Sequence, residues 1–440
     1  MPKQISRRSF VRHIGVAGAT LPVVMPHLVR AVPASGKANL AAVGVGSKGW
    51  GDINSISRGQ NVIGLCDVDK KKLARAGAKW PKAKTFTDFR KLLEIKEIDG
   101  LNVSTPDHMH APVALAAMEL GKHVYVQKPA AHHVGEARKM LEAATKNKII
   151  TQMGTQIHSH VYYRLAVQLV HDGAIGKVRE VHTFSYKKWG DMKPRPDRKD
   201  PVPAHLDWNL WQGVAEKRPF IGKGYYHPGN WRKRLDFGTG TFGDMGCHIY
   251  DPVFGALQLT APISLTSYGP APNEHNWSIN AKIKYVFPGT KVTTDPVTVT
   301  WYDGDAKPPK TIQDMVVEEL KKGGKKAKIP NQGSIMIGEK GILLLPHVGR
   351  PELLPVEQYK DYKYPKVKGN NHYMQWTNTI LGKDKTLCAF DYAVPLTEAV
   401  LLGGVATRFP NQELKWDGPG LTFTNHPKAN ELVQRKYHPY

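Results

Sequence analysis

The sequence predicts an α/β protein of two domains: a parallel sheet covered by helices, then an α+β domain with a large, mainly antiparallel open sheet. Up to about residue 154, short apolar runs alternate with helical patterns. This alternation is typical of a parallel sheet with helices on both faces. Beyond residue 154, several apolar runs alternate with polar residues, as antiparallel strands do. The 440 residues leave room for both domains.

The first predicted strand leads into a glycine loop. This loop, Gly44-Val45-Gly46-Ser47-Lys48-Gly49, follows the apolar run at 40–43 and precedes a helix predicted at 52–58. A second strand, predicted at 62–66, ends in Asp67. The order of strand, glycine turn, helix, strand and acid is the dinucleotide-binding fingerprint in its required context.

Each part of this fingerprint has a physical role. Gly44 permits the tight turn, Gly46 lets a pyrophosphate approach the backbone, and Gly49 allows helix and strand to pack closely. The helix N-terminus favours an anion. Asp67 could bind both ribose hydroxyls, and its charge would repel a 2′-phosphate, so NAD is favoured over NADP. The loop residues predicted to bind the cofactor are Gly44, Gly46, Ser47, Lys48 and Gly49.

Further elements complete the predicted first domain, which spans residues 37–154. The helices are predicted at 70–79, 89–93, 112–120 and 134–146, and the strands at 98–103, 123–126 and 149–153. Ligands of such sheets bind beyond the carboxyl ends of the strands.

The second domain is predicted over residues 155–440. Strands are predicted at 178–186, 263–268, 279–287, 297–302 and 335–345, and helices at 162–171, 373–381 and 397–408. The lysine-rich stretch 307–328 is interpreted as a basic insertion loop exposed to solvent.

The N-terminus resembles a twin-arginine signal peptide over residues 1–34. Arg7 and Arg8 precede a short, weakly apolar stretch at 14–24 and small residues at 31–34. A basic, disordered N-terminus is the alternative. The signal predicts use of the twin-arginine export machinery and a periplasmic or otherwise exported location. Because that compartment offers no obvious nicotinamide pool, we expect a tightly held cofactor.

Composition limits the possible partners. The net charge of +24 would attract polyanions, including acidic glycans. We discount nucleic acid, since no recognition motif is present, and no segment is long and apolar enough for an integral membrane span. The three cysteines, Cys66, Cys247 and Cys388, form neither a disulfide framework nor a zinc spacing.

Two motifs supply candidate catalytic groups at the expected crevice. Lys128, in Gln127-Lys128-Pro129, follows a predicted strand and could stabilise a substrate alkoxide; the alternative is an exposed loop lysine. His248 could accept a hydroxyl proton, and Asp244, four residues earlier, could orient the imidazole or bind a hydroxyl. A core histidine with a structural acid is the alternative to that pair.

Aromatic and polar residues between the two motifs suggest carbohydrate binding. Aromatic faces stack on sugar rings, whereas core packing is the other role of such residues. The residues predicted to bind substrate are Trp189, His227, Asn230, Trp231 and Arg232. A metal site was considered for His108, His110, His132 and His133, but no ligand spacing is complete, so none is predicted.

At these residues the chain resembles the glucose-fructose oxidoreductase/inositol dehydrogenase (Gfo/Idh/MocA) family, in an exported branch with twin-arginine signals. The resemblance implies catalytic Lys128 and His248 assisted by Asp244. It also implies a homo-oligomer built on the open sheet face. It places Thr105 and Pro106 beside the nicotinamide, and it assigns Gln127 and Lys128 to the cofactor site as well. Gln127 replaces the family's glutamate and removes a charge beside Lys128.

Three functions are compatible with these features. The first is an exported NAD-dependent oxidoreductase acting on a hydroxyl of a sugar, glycoside or polyol. The second is a glycosidase in which transient oxidation acidifies a neighbouring C–H and permits elimination. The third is a non-catalytic carbohydrate-binding protein that keeps its cofactor for structure. Gln127 keeps the third alternative open, whereas Lys128 and His248 argue against it.

Overall fold

A computed structural model describes Pro33 and residues 36–440. Apart from Pro33, the proposed signal peptide therefore lies outside the described residues. The first domain is built on a six-stranded, all-parallel sheet in the order β3-β2-β1-β4-β5-β6. Its strands are β1 (Asn39–Val43), β2 (Asn61–Cys66), β3 (Lys84–Phe86), β4 (Gly100–Val103), β5 (His123–Val126) and β6 (Thr151–Met153).

Helices connect these strands and cover the sheet. They are α1 (Ser47–Ile56), α2 (Lys70–Lys79), α3 (Phe89–Leu92), α4 (His110–Glu119), α5 (Val134–Lys146) and α6 (Val161–His171). The sequence itself favours the start of α2, because the carboxylate of the N-cap residue Asp69 accepts hydrogen bonds from the backbone of Lys71 and Lys72. The strand order reverses between β1 and β4, which opens a crevice at their carboxyl ends.

The second sheet has nine strands in the order β13-β12-β11-β7-β10-β9-β8-β14-β15. All of its pairings are antiparallel except that of β7 with β10. The strands are β7 (Val178–Ser185), β8 (Ser264–Ser267), β9 (Lys282–Phe287), β10 (Thr293–Asp303), β11 (Gln332–Gly338), β12 (Ile342–Pro346), β13 (Glu352–Leu354), β14 (Glu413–Asp417) and β15 (Thr422–Phe423).

The remaining helices flank this sheet or join it to the first domain. They are α7 (Trp208–Gln212), α8 (Cys247–Ile249), α9 (Asp251–Leu257), α10 (Lys310–Lys322), α11 (Val356–Tyr359), α12 (His372–Ile380), α13 (Phe390–Ala406) and α14 (Pro427–Asn430). Helix α13 packs against α5, so both domains share one hydrophobic core. Arg138 on α5 binds Glu398 on α13 through two hydrogen bonds of 2.8 and 2.9 Å. No helix among the described residues is long and apolar enough to span a bilayer.

Several elements differ from the sequence prediction. Residues 307–328 are not simply a solvent-exposed loop, because they contain the helix α10. This helix buries Val316 and Leu320 against the outer face of the second sheet. The run at 335–345 is a hairpin of two strands, β11 and β12. Helix α13 starts at Phe390, seven residues before the predicted start, with Pro395 tolerated near its beginning.

Candidate active site

The glycine loop lies at the carboxyl end of β1 and leaves no room for side chains at two positions. Gly44 has φ +81°, and a Cβ there would lie 2.5 Å from the carbonyl oxygen of Ser104. A Cβ on Gly49 would lie 1.9 Å from the carbonyl oxygen of Gly44. Helix α1 starts at Ser47, directly after the turn, and its first N–H groups are therefore available for an anion. This geometry fits a pyrophosphate.

Asp67 lies at the end of β2, where the fingerprint requires the ribose-binding acid. Its two carboxylate oxygens accept backbone hydrogen bonds from Val45 and Asp69, each of 2.9 Å. Each oxygen keeps a second lone pair for a hydroxyl. Burial raises the pKa of Asp67, although these hydrogen bonds and Lys72 act in the opposite direction. The residue thus fits an adenosine ribose without a 2′-phosphate.

A continuous cleft joins the glycine loop to the predicted catalytic lysine. It is lined by Gly44, Gly46, Ser47, Lys48, Asp67, Thr105, Pro106, Gln127, Lys128, His227, Trp231 and Arg232, among others. A segment at 205–237 forms its far wall, and an aromatic cluster that includes Trp208, Trp211 and Phe237 holds that segment together. The cleft thus carries the glycine loop and Asp67 at one end and Lys128 at the other, as a dinucleotide site requires.

Lys128, Asp244 and Arg232 form the charged centre of the site. The Lys128 ammonium donates to Asp244 Oδ1 at 2.6 Å and to the Asp244 carbonyl oxygen at 2.7 Å. Arg232 Nε donates to the same Oδ1 at 3.1 Å. Burial alone would raise the pKa of Asp244, but the two cations lower it well below its usual range. Two of the three ammonium donors are therefore used, and one is left for a substrate oxygen.

His248 lies one turn after Asp244, but the two side chains do not form the predicted pair. Residues Phe242–Gly246 form a π-helical turn, and Oδ1 of Asp244 binds two cations, whereas no hydrogen bond between Asp244 and His248 is found among the described residues. Nδ1 of His248 is buried and has no hydrogen-bond partner among the described residues. Burial and the charge of Lys128 lower the pKa of His248 well below its usual value. The imidazole is therefore neutral near pH 7 and can accept a proton.

Three of the five predicted substrate residues, His227, Trp231 and Arg232, line the cleft, whereas Trp189 and Asn230 do not. Trp231 and Arg232 line the cleft, and the Arg232 guanidinium lies over the rings of Trp231 and Trp189, at 4.3 and 5.7 Å from their centroids. His227 also lines the cleft, but toward the cofactor, because its Nε2 lies 3.0 Å from the carboxylate of Asp69. Asn230 is not part of the lining, since its amide donates to the Gly224 carbonyl at 2.8 Å and so stabilises its own loop.

Three of the four histidines considered for a metal site contact backbone carbonyls, and the fourth, His133, contacts Nδ1 of His132 at 2.9 Å. His110 lies between the carbonyl oxygens of Pro129 and Thr105, at 2.7 and 2.9 Å, and so ties together the loops that follow β5 and β4. His108 contacts the Trp211 carbonyl at 3.0 Å, and His132 contacts the Gly238 carbonyl at 3.1 Å. No cluster of metal-ligating side chains is found within the described part of the chain.

Sequence reasoning missed two parts of the site. Asp107 lines the cleft near Lys128, is almost fully buried, and accepts hydrogen bonds from the Thr239 hydroxyl and backbone at 2.6 and 3.1 Å. Tyr440 lines the cleft beside residues 87–89, with the Arg90 guanidinium 4.8 Å from its ring centroid. Asp107 directly follows the Thr105-Pro106 motif, so an acid in that position was a usable signal. Nothing local signals Tyr440, which reaches the cleft only through the tertiary fold.

Fold and site together define a two-domain, dinucleotide-binding protein of the oxidoreductase type. Residues 38–155 match the family described as "Oxidoreductase family, NAD-binding Rossmann fold", and residues 168–296 match its C-terminal alpha/beta domain. The chain belongs to the Gfo/Idh/MocA oxidoreductase family. Its first domain is an NAD-binding Rossmann domain, and the glycine loop and Asp67 described above fit that cofactor.

Three similar proteins illustrate the range of the family. Levoglucosan dehydrogenase of Pseudarthrobacter phenanthrenivorans is 22% identical over 187 residues, which cover 42% of this chain and 40% of that protein. Alpha-N-acetylgalactosaminidase of Shewanella oneidensis is 26% identical over 203 residues, 40% of this chain and 44% of that protein. The chain thus spans less than half the length of these curated relatives.

The third is a solved structure. The WlbA dehydrogenase from Bordetella pertussis, crystallised with NADH and UDP-GlcNAcA, superimposes with a TM-score of 0.60 at 15% identity, covering 87% of this chain and 99% of that one. This similarity shows that the two-domain fold is shared over nearly the whole length of that dehydrogenase.

Proposed function

We propose that this protein is an exported NAD-dependent oxidoreductase that acts on a hydroxyl group of a sugar, glycoside or polyol and keeps its cofactor tightly bound. The observation that supports this most directly is the contact of Lys128 with Asp244, 2.6 Å long, at the end of the NAD cleft. A buried ammonium fixed there by the second domain is suited to a developing alkoxide. Levoglucosan dehydrogenase, among the similar proteins, supports a carbohydrate substrate.

The residues of the site have separate roles in this proposed reaction. The glycine loop and Asp67 would hold the cofactor, and bound NAD⁺ would supply the hydride acceptor. Lys128 donates its remaining N–H to the substrate oxygen and stabilises that oxygen as it becomes negative. His248 is neutral and accepts the hydroxyl proton. Trp231 and Arg232 line the part of the cleft where a sugar ring would bind.

An absorbance titration tests this proposal. The protein is purified without added nucleotide, and a panel of glycosides and polyols is added while the reduced-nicotinamide band is recorded. A rise with one sugar class is the expected result and identifies that class. No retained nucleotide, together with no response after NAD⁺ is added, would refute the proposal and favour a non-catalytic carbohydrate-binding protein.

A glycosidase that oxidises its substrate only transiently is the second candidate. It is favoured by the similarity to the alpha-N-acetylgalactosaminidase, and His248 would be the base that removes the acidified C–H proton. The products distinguish the two functions. A cleaved glycoside without net NADH supports the glycosidase, whereas an accumulating keto-sugar supports the dehydrogenase.

Export and oligomeric state are further parts of the proposal. The Arg7-Arg8 pair and the apolar stretch after it support twin-arginine export. Cell fractionation of the protein and of an Arg7→Lys/Arg8→Lys variant tests this. Export of both proteins to the same extent, or of neither, would refute it. A homo-oligomer is supported by Ile263 and Tyr268, each about half exposed beside the part of the second sheet that α10 leaves open. Light scattering that gives a monomer mass would refute that oligomer.

A further inference from the structure

A buried carboxylate lies beneath the cofactor cleft. Asp52, on α1, has no exposed surface and is surrounded by three donors. Its Oδ1 binds the Lys48 ammonium, and its Oδ2 accepts hydrogen bonds of 2.9 Å from the Ser104 hydroxyl and from the Gln127 amide. Lys48 also donates to the Tyr373 hydroxyl at 2.9 Å. Gln127 carries no charge, but its amide is hydrogen-bonded to the negatively charged carboxylate of Asp52.

The surroundings of Gln127 fix which way its amide points. A carboxylate accepts hydrogen bonds only, so Asp52 selects the NH₂ end of the amide. Gly154 leaves room for the amide, because a Cβ there would lie 2.5 Å from Nε2 of Gln127. Oε1 accepts a hydrogen bond of 3.3 Å from the backbone N–H of Lys128. Gln127 lines the cleft, so Oε1 is the amide atom left to accept a further hydrogen bond.

We propose that Asp52 is a positioning residue that fixes the Gln127 amide with Oε1 facing the cleft, as an acceptor for a ribose hydroxyl of NAD. This inference rests on the proposed function only in requiring that the cleft binds NAD. Its consequence is that glutamate is excluded at position 127 while Asp52 is present. A carboxylate there would replace an N–H···O contact of 2.9 Å with two like charges.

Exchanging the two side-chain types tests the inference. In Asp52→Asn, an amide faces the Gln127 amide, and the selection of the NH₂ end is lost. In Gln127→Glu, two carboxylates face each other. In the double variant, the amide at position 52 can donate to the carboxylate at position 127, which still presents an acceptor oxygen to the cleft. We expect each single variant to bind NAD⁺ at least about tenfold more weakly, and the double variant to return to within about threefold of the unchanged protein.

Calorimetric titration of nucleotide-free protein with NAD⁺ gives the affinities, and thermal melting without nucleotide monitors folding. Asp314→Asn is the control for loss of an aspartate charge, since Asp314 pairs with Lys310 on the exposed face of α10. Gly154→Ala is the second variant if a single substitution prevents folding. It keeps every charge but displaces the amide, so a similar loss of affinity is expected.

The outcomes separate this inference from the proposed function. An unchanged affinity in Gln127→Glu, or a double variant as weak as the weaker single variant, would overturn the positioning role of Asp52. Failure of the unchanged protein to bind NAD⁺ would refute the proposed function itself, and this inference with it. Recovery in the double variant would support both, because a merely structural defect at either position would not be repaired by a second substitution.

Discussion

Replacing Lys128 by methionine tests the centre of the proposed chemistry. The side chain is only 9% exposed and donates two hydrogen bonds to Asp244, which leaves one donor for a substrate oxygen. Methionine has a similar length but donates no hydrogen bond. Loss of one preorganised donor to a developing oxyanion costs about 10²–10³ in rate, or about 3–4 kcal/mol. We therefore expect hydride transfer to slow by at least about a hundredfold.

The same substitution has a limited effect on folding and on cofactor binding. Removing one partner of a fully buried ion pair costs about 3–5 kcal/mol. Here the loss should be smaller, because Arg232 still binds the Asp244 carboxylate at 3.1 Å. Within the described part of the chain, Lys128 forms no hydrogen bond with the glycine loop or with Asp67. NAD⁺ affinity should accordingly stay within about threefold.

Three measurements on the same protein check this prediction: stopped-flow reduction of bound NAD⁺, calorimetric NAD⁺ affinity, and melting temperature. Lys122→Met is the matched control. Lys122 is also buried, and its ammonium donates to the Ile95 carbonyl at 2.7 Å, away from the cleft. Hydride transfer within threefold of the unchanged rate in Lys128→Met, with the protein folded, would show that the ammonium does not stabilise the reacting oxygen.

Three further predictions follow from the site and the core. His248→Asn should slow hydride transfer by about 10²-fold or more. The unchanged protein should keep a constant rate of hydride transfer as the pH falls to 6.5, because the pKa of His248 is held well below that value. A rate that halves at pH 6.5 would contradict this. Gly49→Ala should abolish NAD⁺ binding, since its Cβ would lie 1.9 Å from the carbonyl oxygen of the glycine turn, whereas Gly51→Ala on the same helix meets nothing within 4 Å and should leave the melting temperature unchanged or higher. Burial lowers the pKa values of His108 and His372 to about 3, so on acidification these histidines take up protons in the unfolded chain before they do in the folded protein. The stability they contribute is therefore full above pH 6.5, and the free energy of unfolding should fall below that pH by more than about 1 kcal/mol per pH unit per histidine. Urea unfolding at pH 7.5 and 5.5 measures this loss.

The first domain follows closely from its sequence because its signals are local. Strand β1, the glycine turn and Asp67 all lie within about thirty residues, and each has a direct steric or hydrogen-bonding reason for its residue type. The second domain was less predictable at its margins. The lysines of 307–328 favour a solvent-exposed interpretation, although Ile312, Val316 and Leu320 are spaced four residues apart, as on one face of a helix. In the structure this apolar stripe packs on the second sheet.

Most residues of the site could be predicted from the sequence, but which of their side chains contact one another could be predicted less well. The sequence spacing brings Asp244 and His248 to one region, but the cations of two other segments take the carboxylate. His227 was placed with the substrate because aromatic neighbours surround it, whereas its bond to Asp69 places it toward the cofactor. Tyr440 could not be found from spacing at all. Such partners are set by long-range packing, which a local motif does not specify.

The long-range pairings also explain how the site is held ready for reaction. Lys128 belongs to the Rossmann domain, whereas Asp244 belongs to the second domain, so the contacts of 2.6 and 2.7 Å cross the domain boundary. The two domains are also packed together, because α13 lies on α5 in a shared core and Arg138 binds Glu398 across the boundary. Electrostatic stabilisation of a transition state is strongest where donors need no reorganisation. We therefore infer that Lys128 is oriented by the fold before substrate arrives, rather than by closure of the two domains around it.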